Sequence, residues 1–306
     1  MNPLDDIIAL LRPHAAFSKP ISGRGHWGVR YAATHSPSFC VVLEGQCWLA
    51  MEGRAPLRLE KGDFLLLTNT PAFALYSKPG VRYVSGVPSR TGVRHGEPKG
   101  RPDFRMLGGT FETELANGKL LLALLPGRIH IRSAESDTSR LSRIVSLIME
   151  EYSGNRPGRD LILGRLLEIL LVDSLRSHEF DPGSMATGLI AGLRDPSISR
   201  ALGAMHTRVQ HGWTVANLAE HVGMSRSAFA ARFSEKVGCA PMEYLSLWRM
   251  SLAQDALRRG DVGLEELAED IGYQSASAFS TAFRKKVGCA PSVFARGQNQ
   301  VTRRAS

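Results

Sequence analysis

The chain has 306 residues, of which 43% are hydrophobic and 22% charged. This length predicts two globular domains. The composition supplies enough apolar residues for two packed cores, which excludes a disordered chain. The formal net charge is +9, and residues 184–306 hold 15 basic and 10 acidic residues. A basic balance of this kind favours an acidic partner, with nucleic acid first among the candidates.

The N-terminus lacks the pattern of a secretory signal, because Asp5 and Asp6 precede a short apolar stretch. No run approaches ~18 uninterrupted apolar residues, so neither a transmembrane helix nor a membrane partner is expected. Four cysteines in a chain of this size favour a reducing compartment over a disulfide scaffold. We therefore expect a cytoplasmic protein.

The first predicted element is a short helix over residues 3–12, because Pro3 suits a first helical turn and the two acids complement its N-terminus. Short apolar segments separated by glycine and proline then run through residues 27–132. Their close, regular spacing predicts a small antiparallel barrel or sandwich. The strands are expected at residues 39–43, 47–51, 57–59, 64–67, 73–76 and 81–84.

From about residue 137 the apolar residues recur at helical spacing in two stretches, with a polar break at 154–158. This pattern predicts an antiparallel helical hairpin over residues 136–178. Because its second helix is apolar over most of its circumference, we expect the hairpin to form a homodimer. Residues 179–194 are expected to be a linker, and Asp195-Pro196 signals the start of a helix over 195–211.

A repeat occupies the C-terminal region, where residues 218–245 are repeated as residues 267–294. Each copy has a helix, a glycine turn and a second helix with phenylalanines four residues apart, which is the pattern of a helix-turn-helix unit. Two such units in one chain can reach two successive major-groove segments of DNA. Because both copies contain the same features, the evidence for helix-turn-helix units is far more specific than a single match would be.

Ser225 and Ser275 stand where the N-cap of each second helix belongs. If the phenylalanines point inward, the opposite faces carry small residues that fit the major groove, with longer basic side chains at the margin for phosphates. The residues predicted to contact DNA are Ser225, Arg226, Ser227, Ala230, Ala231, Arg232, Ser275, Ala276, Ser277, Ser280, Thr281, Arg284 and Lys285, with Lys286 at the margin.

The run WTVANLAEHVGMSRSAFAARFSEKVGCAPMEYLSLWRM and the run AEDIGYQSASAFSTAFRKKVGCAPSVFAR resemble the DNA-binding domain of AraC/XylS-type transcription regulators. The segments FCVVLEGQCWL and LRLEKGDFLLL resemble the cupin sensor domain of one AraC subclass. The resemblance implies a cytoplasmic regulator, often an activator, that binds promoter DNA and contacts RNA polymerase. It also implies a sensor domain that binds an effector and contributes to a dimer.

The expected fold is an α+β chain of two domains. A cupin-like antiparallel β-barrel that senses an effector is expected over residues 1–135, followed by the hairpin over 136–178 and the linker over 179–194. An all-α domain with two helix-turn-helix units is expected over 195–300. For an organic effector in the barrel, the candidate contacts are Trp27, Tyr31, His35, Cys40, Trp48 and Phe73, with Arg30, Arg58 or His35 orienting an acid group.

Cupins often hold a metal with two or three histidines and a carboxylate, and this sequence departs from that pattern. Cys40 and Phe73 occupy positions where histidines would be expected. We therefore predict no cofactor and no enzyme activity. A cupin enzyme with an appended DNA-binding module, and a nucleoid-type binder without sequence preference, are the competing classes of protein. The small, mostly uncharged groove faces argue against the second.

Two alternatives to an organic effector involve the N-terminal cysteines. His26, His35, Cys40 and Cys47 lie close enough in sequence for an irregular metal site, although their spacing matches no standard zinc pattern. If Glu44-Gly45 is a two-residue hairpin turn, both cysteines lie on one face of the sheet, roughly 7–8 Å apart at Cα. A redox-responsive pair is then possible, at the edge of disulfide geometry.

Overall fold

The computed structural model describes residues 3–11, 14–34, 36–87, 89, 91–112, 127–132, 140–154, 156–176, 188–260 and 262–296. The chain divides into two compact units. The β-unit contains the strands and the helical hairpin, and the helical unit contains the C-terminal helices together with the first helix of the chain, α1 (Pro3–Leu11). In the described residues, no helix is both long enough and apolar enough to cross a bilayer.

Eleven strands in the described part of the β-unit form two sheets with the orders β11-β6-β3-β10-β1-β9 and β5-β4-β7-β2-β8. Most neighbours are antiparallel, whereas β1 pairs with β9 and β2 with β8 in parallel. Leucine, valine and methionine side chains from both sheets pack into one core. The strands are β1 His14–Arg24, β2 Gly28–Tyr31, β3 Ser38–Glu44, β4 Gln46–Met51, β5 Leu57–Glu60, β6 Phe64–Leu67, β7 Phe73–Tyr76, β8 Val84–Ser85, β9 Val93–Gly96, β10 Phe104–Glu112 and β11 Arg128–Ile131.

The predicted cupin-like fold and most predicted strands are confirmed, but the pairing of β3 with β4 is wrong. Strand β3 pairs with β10 and β6 on its two edges, so it has no free edge for β4. Gly45 takes a φ of 71° and lies so close to Asp103 that an added Cβ would stand 2.1 Å from its carbonyl oxygen. The chain therefore turns a corner here and passes from one sheet into the other. Similarly, only the last residue of the strand expected at 81–84 belongs to β8.

The helical hairpin is present as α2 (Arg140–Gly154) and α3 (Arg159–Arg176). Gly158, with a φ of 81°, belongs to the short turn between them. Leu141, Ile148 and Leu167 are among the side chains that the two helices bury, as the helical spacing predicts. Helix α3 also packs against β1.

The helical unit continues with α4 to α10, and residues 291–296 form α11. The side chain of Asp195 caps α5 by accepting hydrogen bonds from the backbone N–H groups of Ser197 and Ile198. Helix α5 ends at Thr207, four residues earlier than the sequence pattern indicates. Residues 189–194, within the expected linker, form α4, which packs against α7. The helices are α4 Leu189–Arg194, α5 Pro196–Thr207, α6 Val215–His221, α7 Arg226–Val237, α8 Pro241–Arg259, α9 Leu264–Asp270 and α10 Ala276–Val287.

Helix α1 packs against α5 and α8 of the helical unit. His206 joins the three helices, because its Nδ1 lies 3.1 Å from Oδ2 of Asp6 and its Nε2 lies 2.8 Å from the hydroxyl of Tyr244. The imidazole also stacks on Trp248 at a centroid distance of 3.9 Å. The predicted helix is therefore present, but it contributes to the helical unit and not to the barrel that follows it in sequence.

Candidate DNA interface and effector cavity

The two second helices of the repeat, α7 and α10, begin in the same way. The hydroxyl of Ser225 accepts a hydrogen bond from the N–H of Ala228 at 3.3 Å, and that of Ser275 accepts one from Ala278 at 3.1 Å. Each helix ends at a glycine in the left-handed region. The predicted caps are confirmed, and both helices are twelve residues long.

Buried aromatic side chains fix the orientation of both helices. Phe229 and Phe233 in α7, and Phe279 and Phe283 in α10, are fully buried. Within each pair the rings meet edge to face at 5.7 and 5.5 Å. Because the phenylalanines occupy one side of each helix, the residues predicted to contact DNA lie on the opposite side.

Most of the predicted DNA-contacting residues are exposed in both units, and Ala230, Ala276 and Ser280 are half-buried. On α10 five of them line one surface depression. The hydroxyl of Thr281 donates to the carbonyl of Ser277 at 3.0 Å, which leaves its methyl group and oxygen lone pairs for a partner. The residues of the depression are Ser277, Ser280, Thr281, Arg284 and Lys285.

Arg232 differs from the other predicted phosphate contacts because it forms an ion pair within the protein. Its Nε lies 2.6 Å from Oδ2 of Asp195, the residue that caps α5. Burial alone would raise the pKa of Asp195, but hydrogen bonds from Arg232 and from two backbone N–H groups hold it below its usual value. By contrast, Arg226, Arg284 and Lys285 have no ion-pair partner among the residues that the structure describes.

Arg249 of α8 connects the parts of the helical unit that carry the two repeats. Its guanidinium donates to the backbone carbonyls of Val209 at 2.7 and 3.0 Å and of His211 at 2.9 Å, and it lies over the ring of Tyr273. At Gly272, in the turn of the second unit, an added Cβ would stand 2.5 Å from the guanidinium. Sequence reasoning missed this residue, because its partners are distant in the chain.

Between the two sheets of the β-unit lies a cavity of about 180 Å³. Most of its walls are aliphatic or aromatic, and hydroxyl side chains supply most of the polar surface. This composition suits a small organic molecule. The lining residues are Lys19, Ile21, Tyr31, Ala32, Thr34, Ser38, Phe39, Cys40, Leu49, Leu59, Leu65, Leu67, Thr70, Phe73, Leu75, Ser89, Met106, Gly108, Gly109 and Thr110.

Comparison with known proteins matches both units to described families. The Cupin family matches residues 2–179, and the Helix-turn-helix domain family matches residues 218–297. An AraC-like transcription regulator of Streptomyces lividans is 34% identical over 90% of this chain and 91% of its own length. The chain belongs to the AraC-like transcription regulators.

Two further relatives are similar to this AraC-like regulator. An AraC-like transcription regulator of Streptomyces antibioticus is 32% identical over 90% of this chain and 92% of its own length. The solved DNA-binding domain of AdpA, a global transcriptional factor in complex with a target DNA, is 28% identical, with a TM-score of 0.32. The match covers 34% of this chain and 92% of the AdpA domain. The family confirms the prediction of a DNA-binding transcription regulator that is not an enzyme.

Three of the six predicted effector contacts of this AraC-like regulator, Tyr31, Cys40 and Phe73, line the cavity. Trp27 does not, because it is buried between His95 and Phe104 in the core. Trp48 stacks on Tyr76 away from the cavity. His35 lies outside the described residues.

The arginines expected to orient an acid group also lie elsewhere. Arg30 lies over the ring of Tyr83, and Arg58 pairs with Gln46 and Glu60 on the surface. Lys19 is the cation that lines the cavity instead, and sequence reasoning missed it. The sequence contains a signal for this residue, since Lys19 and Ile21 are two residues apart on β1 and therefore lie on the same face of the strand.

The thiols of Cys40 and Cys47 lie in the core between the sheets, where they are 7% and 0% exposed. Burial, followed by the charge of Asp63, raises the pKa of Cys40 to about 12. Burial also raises the pKa of Cys47, and the neighbouring Cys40 adds to this effect. Because thiolates are the reactive form, the raised pKa values disfavour oxidation of either thiol and its binding of a metal at pH 7. His26 is exposed, so it shares no site with them.

Proposed function

We propose that α7 and α10 read successive major-groove segments of promoter DNA, and that a small molecule in the cavity of the β-unit controls this binding. One observation carries the DNA part: two equivalent helices, each capped by a serine, expose small side chains opposite a fully buried phenylalanine pair. Small side chains let a helix lie deep in the groove, where hydroxyl and methyl groups meet base edges.

The charges on these helices support the same orientation. Arg226 on α7, and Arg284 and Lys285 on α10, are exposed and lack an acidic partner in the described residues, so they are available to phosphates. Arg232 keeps its ion pair with Asp195 and positions α7. Its contribution to DNA binding is therefore smaller than that of the other three arginine and lysine residues.

The effector part rests on the cavity, which is lined by side chains of both sheets. Control of transcription also needs RNA polymerase and a suitable oligomer. We propose a cytoplasmic homodimer joined through α2 and α3, acting as an activator that contacts RNA polymerase.

A redox- or metal-responsive regulator is the weaker candidate, because both thiols are buried and their pKa values are raised.

Two substitutions on α10 test the proposed reading of DNA. Thr281→Tyr places a bulky side chain at the centre of the surface depression, so the preferred base sequence should change. Lys285→Ala removes one phosphate contact, so all sequences should be bound more weakly by a similar factor. The slope of log affinity against log salt should then fall by about one unit. Selection from a random duplex library, followed by titrations at several salt concentrations, measures both effects.

An equal loss of affinity on every sequence for Thr281→Tyr would contradict the groove position of Thr281. Lys61→Tyr, at an exposed site of the β-unit, is the control and should leave the preferred sequence unchanged.

A further inference from the structure

Among the described residues that line the cavity, Lys19 is the charged one, and the others are apolar or carry hydroxyl groups. Lys19 lies opposite Gly108 in the pairing of β1 with β10, and Gly108 lies opposite Cys40 in the pairing of β10 with β3. A Cβ at Gly108 would stand 2.8 Å from Cδ1 of Ile21, which also lines the cavity. The glycine thus leaves room for the side chain of Ile21 on the wall that also carries Lys19.

Among the residues that the structure describes, no carboxylate compensates the charge of Lys19. Its Nζ donates to the backbone carbonyl of Ser89 at 2.6 Å. Partial burial lowers the pKa of Lys19, which is the effect expected of an ammonium that loses water without gaining an anion. An anionic group in the cavity would supply the missing partner.

The hydroxyl of Tyr31 belongs to one of the other residues that line the cavity. The hydroxyl of Tyr31 lies 3.1 Å from Nε2 of His95, and Tyr31 stacks on Phe73. Burial, and then the charge of Lys19, lower the pKa of His95, so the imidazole is neutral at pH 7. When Nε2 of His95 donates to Tyr31, the hydroxyl hydrogen is available to an acceptor on a ligand.

We propose that the cavity binds a small organic acid, with its apolar body between the sheets and its carboxylate on Lys19 and Tyr31. This inference rests on the proposed function, since it names the chemical class of the effector. The volume of about 180 Å³ limits the apolar body to about one ring, because an apolar cavity of about 150 Å³ accepts benzene. A carboxylate on an ammonium forms a charge-assisted hydrogen bond, which is stronger than any bond that a neutral amide makes there.

The test compares acids with neutral molecules of the same shape. Phenylacetate, cyclohexanecarboxylate and hexanoate, each beside its primary amide, are titrated calorimetrically into the full chain and into Lys19→Gln. In the unsubstituted protein we expect at least one acid to bind about tenfold or more tighter than its amide. In Lys19→Gln that preference should disappear while the affinity for the amide is kept, which also shows that the variant folds. Lys61→Gln, an exposed lysine of the same unit, should behave like the unsubstituted protein.

The outcomes separate this inference from the proposed function. If the amides bind as tightly as the acids, or if Lys19→Gln keeps the preference for the acid, the assignment of an anionic ligand to Lys19 is wrong while the cavity remains a ligand site. If none of the six molecules binds, the cavity as an effector site is overturned together with the inference.

Discussion

At the scale of single residues, Arg249 shows how a side chain far from the DNA-facing surface can determine what that surface binds. The N–H groups of its guanidinium donate to the backbone carbonyls of Val209 and His211. The guanidinium also lies over the ring of Tyr273, in the turn of the second unit. The distance between α7 and α10 sets which two groove segments they reach. A looser connection between them should therefore relax the required spacing.

Replacing Arg249 with Lys keeps the charge but removes the fork that binds two carbonyls at once. We expect the free energy of unfolding to fall by about 2 kcal/mol, since hydrogen bonds to a charged group are lost. The preference for the natural spacing over duplexes with one base pair inserted between the two half-sites should also weaken. Arg54→Lys, at an exposed arginine of the β-unit, is the control and should change neither the stability nor the spacing preference. An unchanged spacing preference in Arg249→Lys would show that α8 fixes the separation without this contact.

Residues whose role is local could be predicted from the sequence, and residues whose role depends on distant partners could not. Ser225 and Ser275 were recognised as caps because the signal lies within one helical turn. The sequence indicates that Lys19 shares a face of β1 with Ile21, but it does not show that this face borders a cavity, because the opposite sheet forms the other wall. Arg232 was read as a phosphate contact because nothing in its own helix reveals the ion pair with Asp195.

At the scale of elements, α1 introduces a titratable connection into the helical unit. The side chain of His206 is 1% exposed and lies between Asp6 of α1 and Tyr244 of α8. Burial lowers the pKa of His206 to about 4, although Asp6 acts in the opposite direction. The neutral imidazole donates from Nδ1 to Asp6 and accepts at Nε2 from the hydroxyl of Tyr244.

The stability of the helical unit should therefore fall as the pH is lowered from about 7 towards 4. In that range the unfolded chain, with an ordinary histidine pKa near 6.5, binds a proton that the folded protein does not, so unfolding is favoured. The slope contributed by His206 approaches about 1.4 kcal/mol per pH unit. Urea unfolding of the full chain at several pH values measures it. His206→Gln should lose this contribution, whereas the exposed His221→Gln should keep it, and identical slopes in both variants would contradict the assignment.

Among the elements, helices were predicted more accurately than strand pairing. Both helix-turn-helix units and the hairpin follow from periodicity and turn residues within short windows. The positions of β3 and β4 also follow from their apolar runs, but their pairing does not. The tight turn between β3 and β4 favours a hairpin in which the two strands pair. This pairing is excluded because β6 and β10 occupy both edges of β3. Register across a sheet is set by residues far apart in the chain.

At the scale of the whole molecule, the helical hairpin exposes apolar side chains that its own unit does not cover. Leu161 is 68% exposed, and Ile162 and Ile169, one above the other on α3, are 43% and 44% exposed. Clusters of this kind on a surface indicate a protein interface. A second copy of the chain fits best, because the same face on both copies gives a closed, symmetric dimer.

Charged residues on this face should therefore separate the proposed dimer. We expect sedimentation to show a dimer at tens of micromolar for the unsubstituted chain and a monomer for Ile162→Lys combined with Ile169→Lys. Each lysine would bury an unpaired charge in the interface. Val293→Lys replaces an equally exposed apolar residue of the helical unit and should leave the dimer intact. A monomer in the unsubstituted chain would remove the proposed interface.

The organisation of the chain into units could be predicted only in outline. A β-rich part followed by helices with a repeated motif is visible in the sequence, and the family is recognisable from that repeat. The position of α1 is not visible in the sequence. Its contacts join residue 6 to residue 206, and the residues of the β-unit lie between these two in the sequence. A short amphipathic helix predicts a buried face but does not identify the surface that covers it.

The two capped helices, α7 and α10, are proposed to read DNA by sequence. A fluorescence anisotropy titration of the full chain on its own upstream DNA, beside a shuffled duplex of equal length and composition, measures this reading. We predict an affinity at least about a thousandfold higher for the upstream DNA at physiological salt, with both affinities falling steeply as salt is raised. Equal affinities for the two duplexes at every salt concentration would contradict the claim and indicate a binder that recognises only the charge of DNA.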